Sequence, residues 1–127
     1  MSSIAVLKQA IKHVEARDLE PFLAMLSEDC VIMKDNGEVI AKGSAQLRDF
    51  YTPVFTSQDD WKLVLSNEFE VGSIVAIKET NIGLNIDGES VDVANVWIYK
   101  IVGGKIVYMH VYSPDEQSEE DLNRFLS

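Results

Sequence analysis

From Trp61 onward the hydrophobic period of this chain changes from 3.6 to 2, and that change constrains the fold more than any other feature. Before it, apolar residues recur every three or four positions. Ile4, Leu7, Ile11 and Val14 form one stripe, with Lys8, Lys12 and Glu15 between them, and Ser2 or Ser3 stands where a helix cap is needed. Asp18 is placed to cap a second, shorter helix whose stripe is Leu19, Phe22, Leu23 and Leu26. Pro21 falls in its first turn, where the missing N–H costs nothing, and the acidic break Ser27–Glu28–Asp29 ends it. Cys30 to Lys34 is a short apolar run closed by the turn Asp35–Asn36–Gly37, with Glu38 to Lys42 returning as a second strand. Gly43–Ser44 opens a third helix, expected to run to about Thr52 with Leu47, Phe50 and Tyr51 on one side, because Pro53 limits its continuation.

From Trp61 onward the period is two. Trp61, Leu63, Leu65, Asn67, Phe69 and Val71 share one face of a strand, and Lys62, Val64, Ser66, Glu68 and Glu70 share the other. Gly72, Asp87–Gly88 and Gly103–Gly104 punctuate three more extended runs rich in Val, Ile, Tyr and Trp. Four strands joined by tight turns predict an antiparallel meander. Ser113–Pro114–Asp115–Glu116 has the form of a capping box, and Leu122, Phe125 and Leu126 give a short C-terminal helix its stripe. Helices followed by a long twisted meander predict an α+β fold, one domain over residues 1–127, with the sheet curled around the helices and a cleft between them.

Charge and cysteine content narrow the partners. With 21 acidic and 11 basic residues the chain carries a net charge of −10, and no basic cluster interrupts the excess. Such a field repels phosphate, so neither nucleic acid nor an anionic membrane surface is an expected partner. Cys30 is the only cysteine, which excludes an intramolecular disulfide and suits a small buried hydrophobe. The longest purely apolar run, Ile74 to Ile77, is far too short to span a bilayer, and Met1–Ser2–Ser3 lacks a basic leader, so a cytoplasmic location is expected.

Three stretches, VEARDLEPFLAMLSEDCVIMKDNG (Val14 to Gly37), GSAQLRDFY (Gly43 to Tyr51) and GGKIVYMHVY (Gly103 to Tyr112), carry a resemblance to the nuclear transport factor 2-like superfamily. Within it the chain is most similar to the ketosteroid isomerases and the SnoaL-like polyketide cyclases, over roughly residues 4 to 114. The resemblance implies a cone-shaped barrel of cystatin-like topology, a small apolar ligand of ketone, steroid-like or polyketide-like form, and a homodimer built on the convex sheet face. It also implies proton transfer next to a ketone, by an aspartate base with a tyrosine and a protonated aspartic acid as donors. In this chain the base position falls on Lys34, the tyrosine position on Ala10, and the acid position on Asn95 or Trp97. Ketosteroid isomerisation by that apparatus is therefore not expected; an isomerase, cyclase or dehydratase would need a different catalytic set.

Lys34 and Asn95 are the candidates for that set. A lysine in an apolar pocket becomes a nucleophilic amine, whereas a rim lysine rests its stem on apolar surface with its head near Asp35 or Glu38. Asn95 shares its strand face with Val91, Val93, Trp97 and Tyr99, and a buried amide needs a partner, either a ligand oxygen or neighbouring backbone. Asn67 has the same ambiguity. Together with Phe50, Tyr51, Trp97 and Met109 these residues form the expected pocket. Asp35 is a substitute base if the strand register slips, and otherwise a turn-stabilising residue. His13 and His110 stand alone without metal-ligand spacing, so no metal and no cofactor are expected, and His110 falls on the outer face. That outer face, with Ala94, Val96, Ile98, Ile106, Tyr108 and Tyr112, reads as an apolar interaction patch.

Overall fold

The computed structural model describes residues 2–58, 60–113 and 115–126. Its order is α1 (Ser3–Glu15), α2 (Leu19–Ala24), β1 (Leu26–Lys34), β2 (Val39–Lys42), α3 (Gly43–Ser57), β3 (Lys62–Val71), β4 (Ile74–Ile86), β5 (Glu89–Val102), β6 (Lys105–Tyr112) and α4 (Glu116–Leu126). Ser2 caps α1 by accepting the Ala5 N–H at 3.2 Å, and the helix buries Val6, Leu7, Ala10, Ile11 and Val14. Asp18 stands at the head of α2, but its side chain makes no capping bond there. The C-terminal cap also differs from expectation: Asp115 Oδ1 accepts the Ser118 N–H at 2.7 Å, two residues beyond Ser113. Pro114 and the side chains of Leu122 and Leu126 lie outside what is described.

The sheet has six strands in the order β2-β1-β6-β5-β4-β3. The expected meander is β3 to β6, antiparallel throughout. β1 starts earlier than its apolar run, at Leu26, and lies parallel to β6, a junction that no turn signal announces. The sheet curls without closing, since β2 and β3 remain its two edges, and α1 packs in its concavity against β3, β4 and β5.

Within the meander, three bulges set which side chains face inward. Each inserts one extra residue and so reverses the alternation beyond it. In β3, Ser66 pairs with Lys78 but Phe69 pairs with Ala76. Asn67 takes a left-handed backbone (φ 55°), and Phe69 and Val71 emerge 70% and 77% exposed instead of inward. Glu68 and Glu70 turn toward α1 in their place: Glu68 pairs with Lys8 at 3.0 Å, and Glu70 accepts the Ile4 N–H at 3.1 Å. In β6 the extra residue is Val107, which returns Ile106 to the core and removes it from the expected outer patch. In β4 the bulge includes Gly83 (φ 72°), where a Cβ would sit 2.8 Å from the Asp60 carbonyl oxygen; only glycine fits.

α3 continues five residues past Thr52, through Pro53. Proline removes one helical hydrogen bond, but the extra turn buries Val54 and Phe55. Phe55 packs its ring 5.4 Å from Phe22 and 6.2 Å from Tyr51. Burying two such side chains contributes roughly 1.5–3 kcal/mol each, enough to offset the lost bond. Among the described residues no helix is long and apolar enough to cross a membrane.

Candidate functional site

A cavity of about 90 Å³ lies between the helices and the concave side of the meander. α1 contributes Leu7, Ala10, Ile11 and Val14, α2 contributes Phe22, and α3 contributes Phe50, Tyr51 and Val54. The sheet supplies Trp97, Tyr99 and Met109 among others, and Phe125 of α4 closes one side. The Trp97 and Tyr99 rings stack at 6.0 Å and 17°. Trp61 is fixed as a wall from both sides. Its indole N–H donates to Asn81 Oδ1 at 2.8 Å, and the Arg17 guanidinium lies 4.6 Å from its ring centroid while donating to its carbonyl at 2.6 Å.

The polar groups in this lining are few. Asn81 is consumed by Trp61 and by the Val93 carbonyl. Tyr51 O–H donates to the Met109 sulfur, at 3.6 Å. Asn95 is 1% exposed and donates to Ser113 Oγ at 3.4 Å. Directly opposite Asn95, on β4, sits Glu79, 5% exposed, whose carboxyl accepts a hydrogen bond from Tyr99 O–H. Burial pushes Glu79 up to about 7, although the Tyr99 bond acts in the opposite direction. Burial and the neighbouring carboxyl raise Tyr99, and burial, Cys30 and Glu79 raise Tyr51. Burial likewise pushes the Cys30 thiol up to about 11, so it sits as an un-ionised core group.

Five expected pocket residues meet here: Phe50, Tyr51, Asn95, Trp97 and Met109 all face the cavity. Asn95 and Trp97 both point inward, so strand parity does not separate them. Lys34 and Asn67 are placed elsewhere. Lys34, at the end of β1, donates to Asn123 Oδ1 at 2.6 Å and stands 3.8 Å from Glu38, tying β1 to α4 at the rim. Asn67 is the exposed bulge residue of β3. Asp35 is exposed, and the turn bond is made by Asn36, whose Oδ1 accepts the Glu38 N–H at 2.9 Å. His110 lies on the outer face, its Nδ1 2.6 Å from the Tyr108 phenol oxygen Oη. Among the described residues no three His, Cys, Asp or Glu side chains cluster as metal ligands.

Glu79 and Tyr99 are the site residues that the sequence reading missed. The signal was present: Glu79 is in step with Val75 and Ile77, which are buried, so a carboxyl was placed on an apolar face. A carboxylic acid on that face is the feature the resemblance sought on β5 at position 95 or 97; here it stands one strand over, across from Asn95.

No curated protein matches the chain. Among solved structures, a nuclear transport factor 2-like protein of unknown function from Burkholderia pseudomallei is similar at 18% identity over all of both chains, with a TM-score of 0.78. A cystatin-fold protein from Novosphingobium aromaticivorans is 21% identical, over 87% of this chain and 97% of its own, with a TM-score of 0.77. TerC, co-crystallised with polyporic acid, is 17% identical over 98% of each chain, with a TM-score of 0.75. These likenesses establish the fold. The family follows from the SnoaL-like domain model, which matches residues 7–109, from α1 to Met109 on the cavity floor: the chain belongs to the SnoaL-like domain family.

Proposed function

We propose that this protein encloses a small, mostly apolar molecule between its helices and sheet, with ketone, steroid-like and polyketide-like scaffolds as the shapes to test first. The observation that carries this reading is the cavity itself, walled by aromatic and aliphatic side chains with Glu79, Asn95 and Tyr51 as its sparse polar contacts. A thermal-shift screen with apolar ketones, sterols and polyketide-like aromatics tests it. A ligand at a hundredfold its Kd stabilises the native state by about 2.7 kcal/mol, a rise of roughly 10 °C for a chain of this length. Ala10→Phe, which fills the cavity from α1, is expected to abolish that rise; a rise that survives Ala10→Phe places the ligand elsewhere.

A second reading, proton transfer on the bound molecule, is favoured by one feature: Glu79 is a buried carboxyl that titrates near neutrality beside a phenol. In that reading Glu79 takes the acid–base role sought at Lys34, with Asn95 contacting the substrate.

We further propose a cytosolic homodimer through the outer sheet face. Val64, Phe69, Val71, Ile74 and Ile82 are exposed there, on β3 and β4, beside Ala94, Val96 and Ile98 of β5. One self-complementary face on each copy closes a two-fold dimer and leaves no further copy to add. Val96→Lys and Phe69→Glu are expected to shift light scattering from dimer to monomer at micromolar concentration. A wild-type monomer, or a dimer indifferent to both changes, contradicts this.

A further inference from the structure

Among the described residues the cavity has acceptors to spare and no basic group to meet them. Glu79 and Asn95 stand opposite each other on β4 and β5, both buried and both facing the cavity. Among the described residues Glu79 receives one hydrogen bond, from Tyr99. Asn95 spends an amide N–H on Ser113, and among the described residues nothing donates to its Oδ1. Among the described residues no Lys, Arg or His belongs to the lining. An anionic ligand would therefore meet a carboxyl with no cation to offset it, and the chain's charge of −10 opposes its approach. A cation with several N–H donors finds the reverse: a counter-charge, a second acceptor, and the stacked faces of Trp97 and Tyr99.

We infer that the cavity takes a small apolar amine, bound as its ammonium ion, with Glu79 as counter-ion and Asn95 Oδ1 as second acceptor. The inference rests on the reading of the cavity as a closed binding site and adds the chemical class of its occupant. The apolar body of the ligand fills the space between Ala10, Phe50 and Met109, while its ammonium head sits on the β4–β5 floor. Binding supplies the positive charge that Glu79 lacks within the fold, so the carboxyl ionises as the ligand enters.

The pH dependence of the wild type reads this without any substitution. The other titratable groups in the lining are Tyr99 on β5 and Tyr51 on α3, both raised and protonated below pH 8, whereas α1 and α2 contribute only apolar side chains. Cys30, near Tyr51, is pushed up to about 11 and is un-ionised as well. Benzylamine affinity is thus expected to rise from pH 5 to pH 8, with benzyl alcohol affinity unchanged.

Calorimetry with benzylamine, benzyl alcohol, acetophenone and benzoate at pH 8 tests the class directly. The expected result is benzylamine binding at least roughly tenfold tighter than the two neutral probes, and benzoate not at all. Glu79→Gln is expected to bring benzylamine and benzyl alcohol within about threefold of each other, with benzyl alcohol binding retained. Where that variant does not fold, the wild-type pH series decides. Neutral probes binding as tightly as benzylamine, or an amine preference that survives Glu79→Gln, overturns the inference and leaves the binding site standing. No binding by any probe overturns both.

Discussion

Glu79→Gln is expected to be more stable than the wild type above pH 7, by roughly 3 kcal/mol, and to lose that advantage as the pH falls toward 4.5. The carboxyl is carried from an ordinary 4.5 to about 7 by burial. Between those values the folded protein holds a proton that the unfolded chain has released. Wild-type stability therefore falls as pH rises through this window and levels off above it, because the ionised carboxylate must then be buried. A displacement of that size corresponds to about 3 kcal/mol at ~1.4 kcal/mol per unit. Glutamine keeps an oxygen to accept the Tyr99 O–H and has no charge to bury. Exposed acids such as Glu20, held down by its hydrogen bond to Arg48, and Asp115, held down by the Ser118 N–H at the α4 cap, titrate below this window and are present in both proteins, so they cancel in the comparison. Urea denaturation at pH 5, 6, 7 and 8 is the measurement; parallel curves for the two proteins would remove Glu79 from the interior.

The second large effect is expected at Met109. Its side chain is 1% exposed, lies across from Tyr99 in the β5–β6 pair, and receives the Tyr51 hydroxyl on its sulfur. Met109→Ala removes the floor of the cavity and leaves the helices spanning a larger void. Truncations of this kind cost about 2–5 kcal/mol, which here corresponds to a fall in Tm of the order of 10 °C. Met109→Leu keeps the volume and is expected to cost less than about 1.5 kcal/mol. The pair also separates packing from ligand chemistry. If the cavity is the binding site, Met109→Ala shifts its preference toward bulkier ligands, whereas a change at the outer face leaves preference unaltered.

How far the sequence carries the structure can be followed residue by residue. The α1 stripe and the four-strand meander were legible because periodicity is a local property, set by which side of an element meets the core. So was the inward direction of Asn95, Trp97 and Met109, which lie on strands whose alternation holds through those positions. Asn67 was not legible, because a single inserted residue in β3 reverses parity without changing the composition of the strand. Lys34 reached the rim through its pairing with Asn123, a residue 89 positions away that only the folded chain brings near. Pro53 shows the limit of a propensity rule, since burial of Val54 and Phe55 in the last turn of α3 outweighs one lost hydrogen bond. Glu79 was overlooked for a different reason. It sits among Lys78, Thr80 and Asn81, a run that reads as polar until the strand is divided into its two faces.

That carboxyl is also the most direct probe of the enclosed site. With the glutamate side chains labelled with carbon-13 at the carboxyl, and Glu79→Gln to assign the resonance, its titration can be followed by NMR in the ligand-free protein. The expected midpoint is near 7, well separated from the surface glutamates. A midpoint in the ordinary range, at 4 to 5, would mean that water reaches Glu79 freely and that the closed apolar cavity does not exist in solution.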